Sequence, residues 1–118
     1  MIRPLLATHD PYKTAKLYEI AGWKVDFIQP IESGDPLVGI SLYDNSVLLG
    51  LIEGYVSKEA ISHIGKGIVF CITVPIADIE QIYEKHRAFS PTPITVQPWG
   101  DTTFEVKIGD FKYMIIGK

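Results

Sequence analysis

Apolar residues along this chain change period in one order, and then change again in the same order. Ile2 to Thr8 is a short apolar run, and Asp10-Pro11 follows it. That pair supplies an N-cap and a proline at the first helical position, where the missing N–H costs nothing. The spacing predicts a helix from Pro11 to Ala21, with Leu17, Ile20 and Ala21 as its apolar stripe and Gly22 as its C-terminal cap. Trp23 to Ile31 alternates Trp23, Val25 and Phe27 against Lys24, Asp26 and Ile28, the period of a half-buried strand. Pro30 and the cluster Glu32-Ser33-Gly34-Asp35-Pro36 break it. Leu37 to Tyr43, the turn Asp44-Asn45-Ser46 and Val47 to Glu53 then read as a hairpin.

A polar joint from Gly54 to Lys66 separates this unit from a second one, and Ser57-Lys58-Glu59-Ala60 within it can start a helical turn. The second unit reads strand (Gly67 to Val74), helix (Ile76 to Arg87), then strands at Ile94 to Gln97, Thr102 to Ile108 and Lys112 to Ile116. Ile79, Ile82 and Tyr83 form its helical stripe. Pro91 and Pro93 put the following strand at a sheet edge. Local echoes support the repetition. Leu5-Leu6-Ala7-Thr8, Leu17-Tyr18-Glu19 and Ile40-Ser41-Leu42-Tyr43 recur 64 or 65 residues later as Phe70-Cys71-Ile72-Thr73, Ile82-Tyr83-Glu84 and Phe104-Glu105-Val106-Lys107. The expected organisation is one α+β domain over residues 1–118, with repeats at about 1–53 and 67–118 and a joint at 54–66.

Composition narrows the partners. With 118 residues and 47% hydrophobic content, the chain can bury a core without disulfide staples. Its 11 basic and 14 acidic residues are interspersed and give a net charge of −3, so neither nucleic acid nor a membrane surface is an expected partner. No apolar run approaches the roughly 20 residues of a spanning helix. The first residues lack a secretory pattern, and a lone Cys71 allows no internal disulfide, so the cytoplasm is the expected location. Among apolar strand neighbours, Cys71 reads as an inert buried thiol. Phosphate loops, nucleophile elbows and Cys-x-x-Cys pairs are all missing from the sequence.

Two paired βαβββ units resemble the vicinal oxygen chelate superfamily, which includes glyoxalase I, extradiol dioxygenases and bleomycin-resistance proteins. Asp10 with Thr14, Leu17-Tyr18-Glu19 and Ala21-Gly22-Trp23 look like that family's first helix. Gln97-Pro98-Trp99-Gly100 followed by Phe104 looks like the stretch that bleomycin-resistance proteins carry before the seventh strand. The resemblance implies a curved mixed sheet with helices on its convex face and a ligand site on its hollow face. It also implies a homodimer in which a second subunit closes the site. Metal-dependent members carry ligands on the first, fourth, fifth and eighth strands. Those places correspond here to Arg3, Leu51 or Glu53, Gly67 or Ile68, and Ile116. Only Glu53 among them can bind a divalent ion, whereas a catalytic metal needs about three protein ligands. The expectation is therefore a branch without metal, cofactor or catalytic residues.

The three histidines lie elsewhere. His9 follows the first strand, His63 lies in the joint, and His86 sits near the second helix's C-terminus, where a cationic imidazole would complement the helix dipole.

Strand parity carries the family's site onto specific residues. If the ligand positions face the hollow, Arg3, Leu5, Ala7, Leu49, Leu51, Glu53, Ile68, Phe70, Ile72, Met114 and Ile116 share that face. Gly39, Ser41, Tyr43, Thr103, Glu105 and Lys107 join them, while Ile40, Leu42, Phe104, Val106 and Ile108 meet the helices. Trp99, between a proline and a glycine, is suited to stack on a flat or cationic ligand; the competing role is a plug at the core edge or a dimer interface. Phe70 and Tyr43 fit either the core or ligand contact. Glu53 and Glu105 would favour a cation within a cleft, and Arg3 would oppose one.

The predicted ligand-binding set is Trp99, Phe70, Tyr43, Ser41, Glu53, Glu105 and Arg3. The predicted function is binding and sequestration of an aromatic or cationic drug-like molecule, as in antibiotic resistance, with no bond chemistry. The alternative is a metal-dependent glyoxalase-like lyase or isomerase, or a dioxygenase, with atypical ligands such as Glu53, His63 and Glu105.

Overall fold

The computed structural model describes residues 2–118. Two compact units divide them. One holds residues up to Glu19 together with Trp23–Ile64, and the other holds Ile20–Gly22 and Gly65–Lys118. Each contains a four-stranded mixed sheet with helices, so the fold class is α+β.

In the first unit, β1 (Leu5–Thr8) leads into α1 (Pro11–Ile20). The Asp10 carboxylate accepts the amides of Tyr12 and Lys13 at 3.0 and 3.2 Å, the bonding expected of an N-cap. Gly22, at a φ of 90°, ends the helix, and the Trp23 amide donates back to the Tyr18 carbonyl at 3.0 Å. The same two residues stack edge to face at 5.1 Å. The buried stripe of α1 is Pro11, Ala15 and Tyr18. Leu17 is half-buried and Ile20 exposed, in contrast to the stripe expected from sequence. Ala15 follows Pro11 by four residues and Tyr18 follows Ala15 by three, so a methyl group and a phenol ring fill one helical face.

Strands β2 (Lys24–Gln29), β3 (Leu37–Leu42) and β4 (Asn45–Leu51) complete the sheet in the order β1-β4-β3-β2, with β1 parallel to β4. The Tyr12 hydroxyl pins α1 to β2 by donating to the Gln29 carbonyl at 2.8 Å. The β3–β4 turn is tighter than expected. Leu42 pairs with Asn45, so Tyr43 and Asp44 alone make the connection and Tyr43 adopts a φ of 53°. The joint holds α2 (Ile52–Tyr55) and a 3-10 helix over Lys58–His63. No helix in the described residues is long and apolar enough to cross a membrane.

The second unit repeats the plan with β5 (Val69–Val74), α3 (Ile79–Lys85), β6 (Thr95–Val96), β7 (Thr102–Ile108) and β8 (Phe111–Gly117), ordered β5-β8-β7-β6. Ile79 and Ile82 are buried along α3, and Tyr83 meets the Phe104 ring of β7 edge to face at 5.2 Å. His86 continues this stripe and is fully buried. Its Nδ1–H donates to the Ile82 carbonyl at 2.7 Å, and burial lowers its pKa. It caps the C-terminal end of α3 through that bond, and the lowered pKa favours the neutral imidazole over the cationic form.

The two sheets share one register. Leu5 pairs with Leu48 and Leu48 with Gly39 in the first; Cys71 pairs with Met114 and Met114 with Glu105 in the second. Every one of these positions is displaced by 66 residues.

Candidate functional site

Each sheet has one buried face and one more open face, and the register assigns every strand residue to one of them. In the first sheet the buried face carries Leu6, Val38, Ile40, Val47 and Leu49. The open face carries Leu5, Ala7, Leu37, Gly39, Ser41, Leu48 and Gly50. Leu49 and Leu51, expected on the hollow face, therefore change places with Leu48 and Gly50. The apolar run Val47-Leu48-Leu49 looks alike on both sides, so its alternation cannot reveal which side is which.

Two aromatic rings lie across the open face of this sheet over glycines. The Val25–Phe27 step carries a register shift that leaves Asp26 unpaired. Val25 consequently faces Ile40 while Phe27 turns to the other side, opposite Gly39. A β-carbon on Gly39 would overlap the Phe27 ring. Asp26 accepts the Ser41 hydroxyl at 3.0 Å and fixes the bulge. On Gly50, a β-carbon would meet the Tyr55 ring at 2.9 Å and the Leu5 side chain at 3.1 Å. The Tyr55 hydroxyl donates to the Asp35 carboxylate at 2.9 Å, and this bond holds the phenol pKa above its ordinary value. Phe27 is 38% exposed and Tyr55 47%. Gly39 and Gly50 are diagonal neighbours on β3 and β4, about 7–8 Å apart. The rings thus add apolar surface to the face that carries Leu5, Leu37 and Leu48. Neither Phe27 nor Tyr55 was selected from sequence, although a glycine inside a strand marks a place where something approaches closely.

The open face of the second sheet is ordered in rows across the strands. Thr73, Ile116, Thr103 and Thr95 form one row; Cys71, Met114 and Glu105 the next; Val69, Lys112 and Lys107 the last. Polarity rises along these rows towards the lysines. Gln97 donates to the Thr103 hydroxyl at 2.8 Å, and the Glu105 amide donates to the Thr92 hydroxyl at 2.8 Å. The Glu105 carboxylate stands 3.4 Å from the Lys112 ammonium. The buried face carries Ile72, Val74, Phe104, Val106, Tyr113 and Ile115.

Phe70 belongs with that buried face. Its ring lies 5.6 Å from that of Tyr113 and 6.4 Å from that of Phe111. Phe70 and Ile72 are thus on the side opposite Met114 and Ile116, not beside them as parity predicted. Cys71 takes their place and is exposed, which corrects the buried thiol.

Trp99 stands in the β6–β7 loop and is 64% exposed. Two bonds close the loop beneath it: the Gln97 amide donates to the Asp101 carbonyl at 2.7 Å, and the Gly100 amide to the Gln97 carbonyl at 2.9 Å. Gly100 adopts a φ of 101°, which a side chain would resist. The indole Nε1–H donates to the Asp101 carboxylate at 3.0 Å. The ring is oriented and still open to solvent.

The other selected residues are dispersed. Tyr43 occupies the β3–β4 turn and is exposed, Glu53 is exposed on α2, and Arg3 is exposed ahead of β1. Ser41 is engaged by Asp26. Among the described residues, no three His, Cys, Asp or Glu side chains gather in a metal-binding group. A recess of about 400 Å³ on the second unit is lined by Glu80, Gln81, Tyr83, Glu84 and Ile94. Glu84 is already committed there, since Arg87 binds it through two N–H groups at 2.8 and 2.9 Å and lowers its pKa.

No protein-family model and no curated protein matches the sequence. Solved structures do match it along its whole length. TioX from Micromonospora sp. ML1 is 17% identical, with a TM-score of 0.73 over 100% of this chain and 95% of that one. A glyoxalase-related enzyme from Fulvimarina pelagi is 15% identical, with a TM-score of 0.72 over 100% of this chain and 88% of its own. A bleomycin-binding protein solved in complex with bleomycin is 16% identical, with a TM-score of 0.71 over 100% and 98%. A bleomycin-binding protein and a glyoxalase-related enzyme are both similar in fold to this chain, so these likenesses establish architecture and leave chemistry to the side chains. With two βαβββ units in one register and whole-chain likeness to these structures, the chain has the fold of the vicinal oxygen chelate, or glyoxalase/bleomycin resistance/dioxygenase, superfamily.

Proposed function

We propose that this chain captures a small molecule with a flat aromatic or cationic portion and sequesters it without making or breaking a bond. The observation that carries the reading is Trp99. Its indole is largely solvent-exposed, yet Asp101 and a closed loop hold it in one orientation. Leaving a large ring exposed forgoes the stabilisation of burying it, and fixing it reduces the entropy lost when a ligand stacks on it. Phe27 and Tyr55 add two more partly exposed rings, each held over a glycine. Strand faces with apolar and aromatic surface and a few polar points suit a drug-like molecule. The bleomycin-binding protein of the same fold makes bleomycin and related planar, cationic drugs the first ligands to test. The proposed role is resistance by sequestration, in the cytoplasm, by a homodimer whose second subunit helps cover the ligand.

Titrating the purified chain with bleomycin and a panel of cationic glycopeptide and quinone drugs, while following tryptophan fluorescence, tests this reading. A saturable change that disappears in Trp99→Ala supports it, and the lack of any saturable change across the panel overturns it. Metal analysis separates it from the alternative. Stoichiometric divalent ion, lost together with an activity on chelation, would establish a metal-dependent lyase, isomerase or dioxygenase instead. Sedimentation analysis checks the assembly, with a species of twice the 13.2 kDa chain mass expected.

A further inference from the structure

Three features meet at the end of the second sheet where β5 and β8 begin. Lys107 and Lys112 are register partners across the β7–β8 hairpin, so both ammonium groups leave the same face. Like charges directly opposite each other destabilise a strand pair. Glu105 reaches Lys112 at 3.4 Å, while Lys107 has no ion pair among the described residues.

The segment Gly65-Lys66-Gly67 enters β5 beside them. Both glycines have a φ of 77°. Gly65 packs so closely on the hairpin turn that a β-carbon there would overlap the Asp110 carbonyl oxygen, while the space around Gly67 is open. Val69, two residues further on, pairs with Lys112. Loop, turn and lysines therefore gather at one end of the sheet.

The backbone amides of this loop are the third feature. Among the described residues, no hydrogen bond uses the N–H of Gly65, Lys66 or Gly67. Unengaged amides in a segment that alternates left-handed residues with an ordinary one are the components of an anion-binding concavity. Three lysines, Lys66, Lys107 and Lys112, and two carboxylates, Glu105 and Asp110, belong to the segments at this end, which leaves a local excess of positive charge.

We propose that the Gly65-Lys66-Gly67 loop with Lys107 and Lys112 binds a phosphate-type oxyanion, either free or as the monoester group of a larger ligand. A tetrahedral oxyanion presents three or four acceptor oxygens, enough to meet amides and ammonium groups together. A carboxylate has only two oxygens and leaves part of this donor set unused. The subsite stands apart from Trp99 and does not depend on the sequestration reading.

NMR titration of the ¹⁵N-labelled full chain with inorganic phosphate, at an ionic strength held constant with chloride, tests it. The amides of residues 65–67 are expected to shift and saturate. Lys107→Gln and Lys112→Gln should each raise the apparent dissociation constant at least fivefold, while Lys58→Gln, at an exposed lysine elsewhere, leaves it unchanged. Acetate in the same buffer should bind at least fivefold more weakly. Shifts that do not saturate, or that persist equally in Lys107→Gln, mean an adventitious ion only and overturn the proposal. Acetate binding as tight as phosphate overturns the assignment to a phosphate-type ligand.

Discussion

The Phe27 ring lies over Gly39, with Cδ1 only 2.7 Å and Cζ 3.0 Å from where a β-carbon would stand. The bulge at Asp26 creates this contact by turning Phe27 away from the side that Val25 faces. An aromatic side chain that simple alternation would bury instead covers a glycine on the open face. Gly39→Ala should therefore cost about 1–3 kcal/mol through overpacking. In a Phe27→Ala background the same change should be neutral or stabilising by about 0.5–1 kcal/mol, because alanine is better than glycine inside a strand. Chemical denaturation of the four variants gives the coupling energy directly. An equal penalty in both backgrounds would show that the ring is not what glycine accommodates.

His86 gives the stability a defined pH dependence. Burial lowers its pKa in the folded chain below the usual 6.5, a shift only partly offset by its bond to the Ile82 carbonyl. Below 6.5 the unfolded chain takes up a proton more readily than the folded one, so acidification favours unfolding. The contribution is fully present above the unfolded pKa and is lost as pH falls from about 6.5 towards the lowered folded value. Unfolding free energies between pH 7.5 and 5 should decline more steeply in wild type than in His86→Leu. Stability that rises on acidification would instead revive the charged dipole partner predicted from sequence.

Trp99 should matter to binding far more than to folding. Its ring is mostly exposed, so Trp99→Ala is expected to change stability by less than about 0.5 kcal/mol. Asp101→Ala keeps the ring and removes the acceptor of its Nε1–H. Under the sequestration reading, Trp99→Ala should weaken drug binding at least tenfold, and Asp101→Ala by a smaller factor through the lost orientation. Stability and fluorescence titrations on both variants check the pair. A large loss of stability in Trp99→Ala would identify the indole as a plug of the core edge.

Much of the architecture was legible in the sequence because caps and breakers are local signals. Asp10, Pro11, Gly22 and the proline pair at 91 and 93 act on their own neighbours, and their elements lie where they indicate. The choice of face was harder to read. The echo of Leu5 at Phe70 is 65 residues away, whereas the sheets repeat at 66. The fifth-strand ligand place falls on Gly67 or Ile68, and counting parity from Ile68 puts Phe70 and Ile72 on the face that Cys71 occupies, because a slip of one residue exchanges the faces of a strand. On β8, Met114 and Ile116 share the face of Lys112, the more open face of that sheet. The candidate site was legible only in part: Trp99 stood out between its proline and glycine, while Phe27 was hidden by a bulge and Tyr55 by its distance from Gly50 along the chain.

Cys71 converts the question of faces into a chemical test. Phe70, Ile72 and Val74 alternate onto the buried face, leaving the thiol exposed next to Met114, with Glu105 beyond it in the same row. The chain's single cysteine should then react with a maleimide or an aromatic disulfide reagent under native conditions, to one equivalent and without denaturant. Cys71→Ser should abolish labelling and alter stability by no more than about 0.5 kcal/mol, as expected for an exposed site. A thiol that reacts only after denaturation would contradict the assigned face. Once a drug ligand is found, the same reaction locates it: binding on the open face of the second sheet slows labelling, whereas binding confined to Phe27 and Tyr55 leaves the rate unchanged.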